Sequence, residues 1–189
     1  METIIKKITI ITILLFSVFT FELSAKSIND INLPDTISNP QLILNGAGVR
    51  SKFIFDLYVA GLYLQKPNKN ADEIINANKP MAIKLYITSS LISSDKMKNA
   101  TIEGFEKSTK GNLKPLQKEI DEFLSVFKED IKGGDRYTFL YTPNDGLKIY
   151  KNGNLKSTIE GLDFKKALFG IWLCDEPAQE SLKKEMLGL

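Results

Sequence analysis

The sequence contains no histidine and a single cysteine, and only two of its 25 basic residues are arginine. Without histidine there is no Ser-His or Cys-His nucleophile pair, no imidazole general base and no histidine-bound metal. Cys174 alone excludes an intramolecular disulfide, and one thiolate makes a poor zinc site. A dominant charge is missing too: 25 Lys+Arg face 23 Asp+Glu, a net +2. The concentrated basic excess of a nucleic-acid-binding domain is therefore absent. No metal or redox cofactor is implied by what remains. A length of 189 residues with 43% hydrophobic content suits one domain with a filled core.

The N-terminus reads as a targeting segment. Lys6 and Lys7 precede an apolar run from Ile8 to Phe21, and Leu23-Ser24-Ala25 supplies a small-residue ending. This is the layout of a secretory signal peptide with cleavage after Ala25. The run stops at Glu22, short of the roughly 20 apolar residues a bilayer core needs. The expectation is an exported chain, periplasmic or secreted, that begins at Lys26 and carries no transmembrane span after cleavage. With no disulfide, its stability must come from packing.

Along the rest of the chain, residues 26–40 read as an extended lead-in to a domain spanning 41–189. Gln41–Asn45 reads as a short strand broken by Gly46-Ala47-Gly48, and Lys52–Leu64 as the strongest strand. Alternation along that strand places Phe53, Phe55, Leu57, Val59 and Tyr63 on one face. It places Ile54, Asp56, Tyr58, Ala60 and Leu62 on the other. Asn70–Asn78 reads as a short helix, Met81–Thr88 as a strand, and Ser93 or Ser94 as the cap of a helix to about Lys107. Ile120, Phe123, Leu124 and Phe127 recur at helical spacing. A meander follows: Asp135–Thr142, Leu147–Tyr150, the hairpin turn Asn152-Gly153, and Leu155–Ile159. Asp163 is read as the cap of an apolar helix containing Trp172, and Pro177 as the start of a last helix toward Leu187. Hairpins and clustered helices without regular βαβ alternation indicate an α+β fold with a mainly antiparallel sheet.

Few residues offer chemistry. The glycines of Gly46-Ala47-Gly48 lack a following helix and any phosphate-binding motif, and read as a tight turn. Arg50 is more informative. In a lysine-dominated chain, a planar and permanently charged fork beside an aromatic strand suits bidentate pairing with a carboxylate. That carboxylate is either internal, with Asp56 or Asp163 as candidates, or belongs to a ligand. Asp135-Arg136 reads as a surface pair. Cys174 reads as a small buried thiol. Trp172, Phe169 and the Phe123/Phe127 stripe are either core or the wall of an apolar cavity.

Leu44-Asn45-Gly46-Ala47-Gly48-Val49-Arg50 followed by Leu57-Tyr58-Val59-Ala60-Gly61-Leu62-Tyr63-Leu64 resembles the chalcone isomerase family, and more closely its exported bacterial chalcone isomerase-like branch. Asp163-Phe164-Lys165-Lys166-Ala167-Leu168, Gly170-Ile171-Trp172-Leu173, Pro177 and Ser181-Leu182-Lys183 are similar to the family's C-terminal helices. The resemblance implies an open-faced β-sandwich, a large antiparallel sheet with helices layered on one face. It implies a cleft between sheet and helices, with the family's arginine at Arg50. The enzymes' catalytic threonine falls at Tyr58 and their asparagine near Asn99/Ala100. Their tyrosine falls near Ile92/Ser93 and is missing, and the threonine or serine before the later helix falls near Asp163. These departures argue against flavonoid cyclisation.

Non-catalytic plant members of the family bind fatty acids through an arginine and a tyrosine matching Arg50 and Tyr58. The resemblance thus implies a binding protein for a fatty acid or similar amphipathic carboxylate, with Asp56, Asn99 and Asp163 as secondary candidates. Burial of a twelve-carbon tail contributes roughly 8 kcal/mol before ordering costs. A charge-assisted bond adds about 1.5–3 kcal/mol, so the tail sets affinity and Arg50 sets orientation. The alternatives are an isomerase or intramolecular lyase, and an interaction module whose cleft is filled by side chains. Asp56, read on the same strand face as Tyr58, could instead neutralise Arg50.

Overall fold

The computed structural model describes residues 26–38 and 40–189; the expected signal peptide, residues 1–25, lies outside them. Two sheets form. The smaller is the hairpin of β1 (Lys26–Ile28) and β2 (Ile31–Leu33), closed by Asn29 and Asp30, both at positive φ. The larger runs β3 (Thr36–Ser38), β4 (Gln41–Lys52), β5 (Phe55–Leu64), β6 (Met81–Ile87), β7 (Arg136–Thr142), β8 (Gly146–Lys151) and β9 (Asn154–Ile159). Every strand in it pairs antiparallel with its sequence neighbour, a seven-stranded meander. Within residues 26–40, read as an extended lead-in, β1 and β2 fold back on each other as a hairpin, and β3 joins the main sheet by pairing with β4.

Among the described residues, five α-helices follow, α1 (Ala71–Asn76), α2 (Ser94–Ser108), α3 (Gln117–Ser125), α4 (Leu162–Leu173) and α5 (Glu180–Met186), with short 3-10 turns at Lys114–Leu116 and Val126–Lys128 on either side of α3. They bury one face of the sheet. Tyr58, Ala60 and Leu62 of β5, Ile83 and Leu85 of β6, and Phe139 of β7 meet Phe105, Phe123, Phe164 and Trp172 in one core. Burying each such aromatic is worth about 1.5–3 kcal/mol. The opposite face carries smaller clusters, with Val59, Ala47 and Tyr86 beneath Leu33 of the β1–β2 hairpin. The fold is thus α+β, a curled antiparallel sheet with helices layered on one face.

Local chemistry explains several boundaries. Ser93 caps α2 by accepting the Lys96 amide at 3.3 Å, and Asn70 caps α1 by accepting the Glu73 amide at 3.1 Å. Asn152 and Gly153 both take positive φ in the β8–β9 turn. Other expectations are corrected. Gly46-Ala47-Gly48 does not break a strand but lies inside the twelve-residue β4. Its glycines are needed for close approach. A Cβ on Gly46 would collide with the backbone of Glu185 and Met186, and one on Gly48 with the Glu185 side chain. The turn falls instead at Phe53-Ile54, so β5 starts at Phe55. Gly161 occupies the cap position of α4, with Asp163 inside the first turn. The last helix starts at Glu180, not at Pro177. Asp135 pairs with Lys151 at 3.3 Å, and no ion pair among the described residues joins it to Arg136. Cys174 ends α4 half-buried, and burial raises its thiol pKa.

Candidate functional site

Between the helix layer and the β4–β5 end of the sheet lies a cavity of about 550 Å³. That is a normal size for a small-molecule pocket. Its inner wall is apolar and aromatic: Leu85, Phe123, Phe127, Phe139, Ile171 and Trp172, with Met97 of α2 above them. Toward the outside stand Arg50, Lys52, Lys96, Asn99, Glu103 and Lys107. The residues that sequence left open as core or cavity wall are therefore divided: Phe123, Phe127 and Trp172 line the cavity, whereas Phe169 is fully buried and does not.

Arg50 and Tyr58 are cross-strand partners in the β4–β5 ladder. A bulge follows them: Arg50 pairs with Tyr58 and Ser51 with Asp56, leaving Leu57 unpaired in this ladder. Its carbonyl instead accepts the amides of Thr88 and Ser89, at 3.0 and 3.2 Å. A bulge of this kind re-aims the strand's side chains. Leu57 and Tyr58, consecutive residues, both line the cavity. Alternation is reset beyond them. Lys52 and Phe55, the next cross-strand pair on this face, also line the cavity. Asp56 is turned away and accepts from Asn29 of the β1–β2 hairpin at 2.6 Å and from Ser51 Oγ at 2.7 Å. The expectation that Asp56 shares a face with Tyr58 and neutralises Arg50 is thus corrected.

Arg50 is held from behind. Its Nη1 donates to the Ser51 carbonyl and, at 2.9 Å, to Gln179 Oε1. Gln179 also accepts the Ser51 amide at 2.9 Å and donates to the Val49 carbonyl at 3.2 Å, clamping the strand. None of the ion pairs among the described residues includes Arg50. Among the described residues, the one carboxylate lining the cavity, Glu103, pairs with Lys107 at 2.7 Å. That hydrogen bond lowers the Glu103 pKa and raises that of Lys107. A guanidinium has five N–H donors, so Arg50 retains donors for a further acceptor.

Tyr58 is buried, and its hydroxyl accepts the indole N–H of Trp172 at 3.0 Å. An indole nitrogen only donates, so the phenol proton of Tyr58 remains available to an incoming acceptor. Burial raises the Tyr58 pKa, while the Trp172 bond and the nearby Arg50 charge act the other way. The phenol stays protonated at neutral pH. The arrangement offers a fixed cation and a neutral O–H donor side by side at the polar end of an apolar chamber.

The secondary candidates separate. Asn99 lines the cavity from the exposed side of α2. Asp163 is exposed on the first turn of α4, 3.8 Å from Lys166 Nζ, and does not line the cavity. Sequence reasoning missed Gln179, for which no motif signals a role, and Lys165. The Lys165 side chain is fully buried, with Nζ donating to the carbonyls of Ile74, Ile75 and Ala77 at 3.1, 2.8 and 2.7 Å. It caps the C-terminal end of α1, where a cation is favoured. Burial lowers its pKa to about 8. No group of His, Cys, Asp and Glu among the described residues has metal-binding geometry. Nor is any described helix long and apolar enough to cross a membrane.

A meandering antiparallel sheet, helices on one face and a cavity between the layers with its arginine on β4 define an open-faced sandwich of the chalcone isomerase type. A chalcone isomerase-like profile matches residues 25–188, and the chain belongs to that family. Among solved structures, the chain is similar to the crystal structure of an Arabidopsis thaliana fatty-acid binding protein. The TM-score is 0.66 at 17% identity, covering 84% of this chain and 92% of that one. No curated protein sequence matches.

Proposed function

We propose that this protein is an exported, non-catalytic binding protein for a fatty acid or a similar amphipathic carboxylate. The observation that carries the reading is the Arg50–Tyr58 pair. It sits at the polar end of an apolar cavity, and Arg50 has no ion-pair partner among the described residues. The carboxylate accepts from the Arg50 guanidinium and the Tyr58 hydroxyl, and the acyl tail runs inward along Leu85, Phe123, Phe139 and Trp172. Similarity of fold to a fatty-acid binding protein supports the same reading. The open cavity speaks against a cleft filled by side chains. Export rests on residues 1–25; N-terminal sequencing of the cellular protein should begin at Lys26.

The experiment is mass spectrometry of small molecules released from the purified, denatured protein, with Arg50→Ala prepared in parallel. The expected result is a fatty acid in near-stoichiometric amount from the wild type and its depletion in the variant. A folded wild type that releases no carboxylic acid and takes up none when offered it would overturn the reading.

A further inference from the structure

The β4–β5 hairpin ends in an unusual tip. Phe53 and Ile54 form its two-residue loop and are 92% and 88% exposed, the most exposed large hydrophobic side chains among the described residues. Phe53 takes a positive φ of 56°, a conformation that a hairpin loop normally gives to glycine or asparagine. The site therefore bears a large apolar side chain where a small residue would be conformationally easier. Phe55, 50% exposed, continues the patch down β5. Leu91, 45% exposed, faces it from the loop between β6 and α2. Phe53, Phe55 and Leu91 all line the cavity, so the exposed apolar tip and the mouth are one surface.

Charge surrounds that surface unevenly. Arg50, Lys52, Lys96 and Lys107 line the cavity against one carboxylate, Glu103, which is already paired with Lys107. Lys52 and Lys96 are exposed and enter no ion pair among the described residues. Lys96 Nζ, 3.0 Å from the Leu91 carbonyl, is anchored at the patch itself. Protruding aromatic and aliphatic side chains flanked on the cavity face by Lys52 and Lys96, with Asp56 turned away toward Asn29 and Ser51, match an anionic bilayer interface, with apolar groups in the acyl boundary and ammonium groups among the headgroups. A protein interface fits less well. A stable one buries about 800 Å² per partner, and this patch is a convex tip of four side chains.

We propose that the Phe53-Ile54 tip docks the protein on an anionic lipid surface, so that the cavity mouth opens against the bilayer and an acyl chain passes between them without crossing water. The docking rests on the acyl-binding reading for its purpose but not for its test. Residues 26–189, which hold every described strand and helix and nearly all of the family match, keep the apolar run at 8–21 out of the assay. The readout is co-flotation with phosphatidylcholine vesicles with and without phosphatidylglycerol, alongside titration with dissolved dodecanoate. Ile54 does not line the cavity, so Ile54→Asp should weaken association with the anionic vesicles at least tenfold and leave dodecanoate affinity unchanged. Phe53→Asp should weaken vesicle association as strongly, and pure phosphatidylcholine should bind the wild type less well.

A wild type that fails to float with anionic vesicles overturns the docking, as does flotation indifferent to both substitutions. Self-association abolished by Ile54→Asp without vesicle binding would assign the tip to a second copy instead, and overturns it too. Vesicle binding through the tip with no dodecanoate uptake would leave docking standing and remove the fatty-acid reading.

Discussion

Trp172 donates its indole N–H to the Tyr58 hydroxyl at 3.0 Å, a buried bond between the helix layer and the sheet. It fixes the phenol oxygen in the cavity wall beside Arg50 and leaves the phenol proton for a ligand. The same bond therefore serves packing and recognition.

Removing either partner should strand the other. Tyr58→Phe leaves a buried indole N–H unpaired, and Trp172→Phe leaves the phenol without its donor. Each should destabilise the fold by about 1–3 kcal/mol. The double variant should cost less than the sum, with a coupling of about 1 kcal/mol. Urea unfolding of the four proteins measures it. Additive costs would show that the bond contributes nothing.

Much of the architecture was legible in the sequence because it follows from periodicity and turn chemistry. The Asn152-Gly153 turn and the Ser93 cap stand as expected, and Ile120, Phe123 and Leu124 fall on α3, but that helix ends at Ser125 and Phe127 follows in a short 3-10 turn with non-helical backbone angles. The β4–β5 region was misread for a physical reason. Glycine usually marks a turn, but Gly46 and Gly48 are small so that α5 can lie on the strand, while the turn itself was given to Phe53. Arg50 and Tyr58 were recognisable as a pair. That Asp56 leaves them was not, because a one-residue bulge at Leu57 inverts every facing beyond it and has no signature in residue type. Gln179 lies 129 residues from Arg50, and only the fold brings them together.

The close packing of α5 on β4 gives a steric prediction. Gly46→Ala should destabilise by about 1–3 kcal/mol, since its methyl meets backbone that cannot rotate away. Gly133→Ala, with open space around the new methyl, should stay within about 0.5 kcal/mol. Comparing the two unfolding midpoints separates crowding from any general loss of glycine.

Lys165 gives a pH prediction. Its pKa is lowered from the ordinary 10.5 to about 8, first by burial and then by Lys166. Between those values the unfolded chain binds more protons than the folded one, so this residue's contribution to stability rises as pH increases through the window. Below about pH 8 both states hold the proton and the contribution is flat. Lys165→Met removes the rise and leaves the carbonyls of Ile74, Ile75 and Ala77 without this donor. The stability gap between wild type and variant should therefore widen from pH 8 toward 10, as read by urea unfolding along the series. A gap that narrows would contradict the assignment.

The central claim, that Arg50 recognises a carboxylate at the mouth of an acyl-binding cavity, is tested most directly by four isotherms: dodecanoate and its methyl ester, each titrated into wild type and Arg50→Ala. Loss of a charge-assisted bond is worth about 1.5–3 kcal/mol, or roughly tenfold or more in affinity. The account predicts that the wild type prefers the acid over the ester by at least that factor, and that the variant binds the two alike. Equal affinity of the wild type for acid and ester, or an acid preference that survives Arg50→Ala, would contradict it.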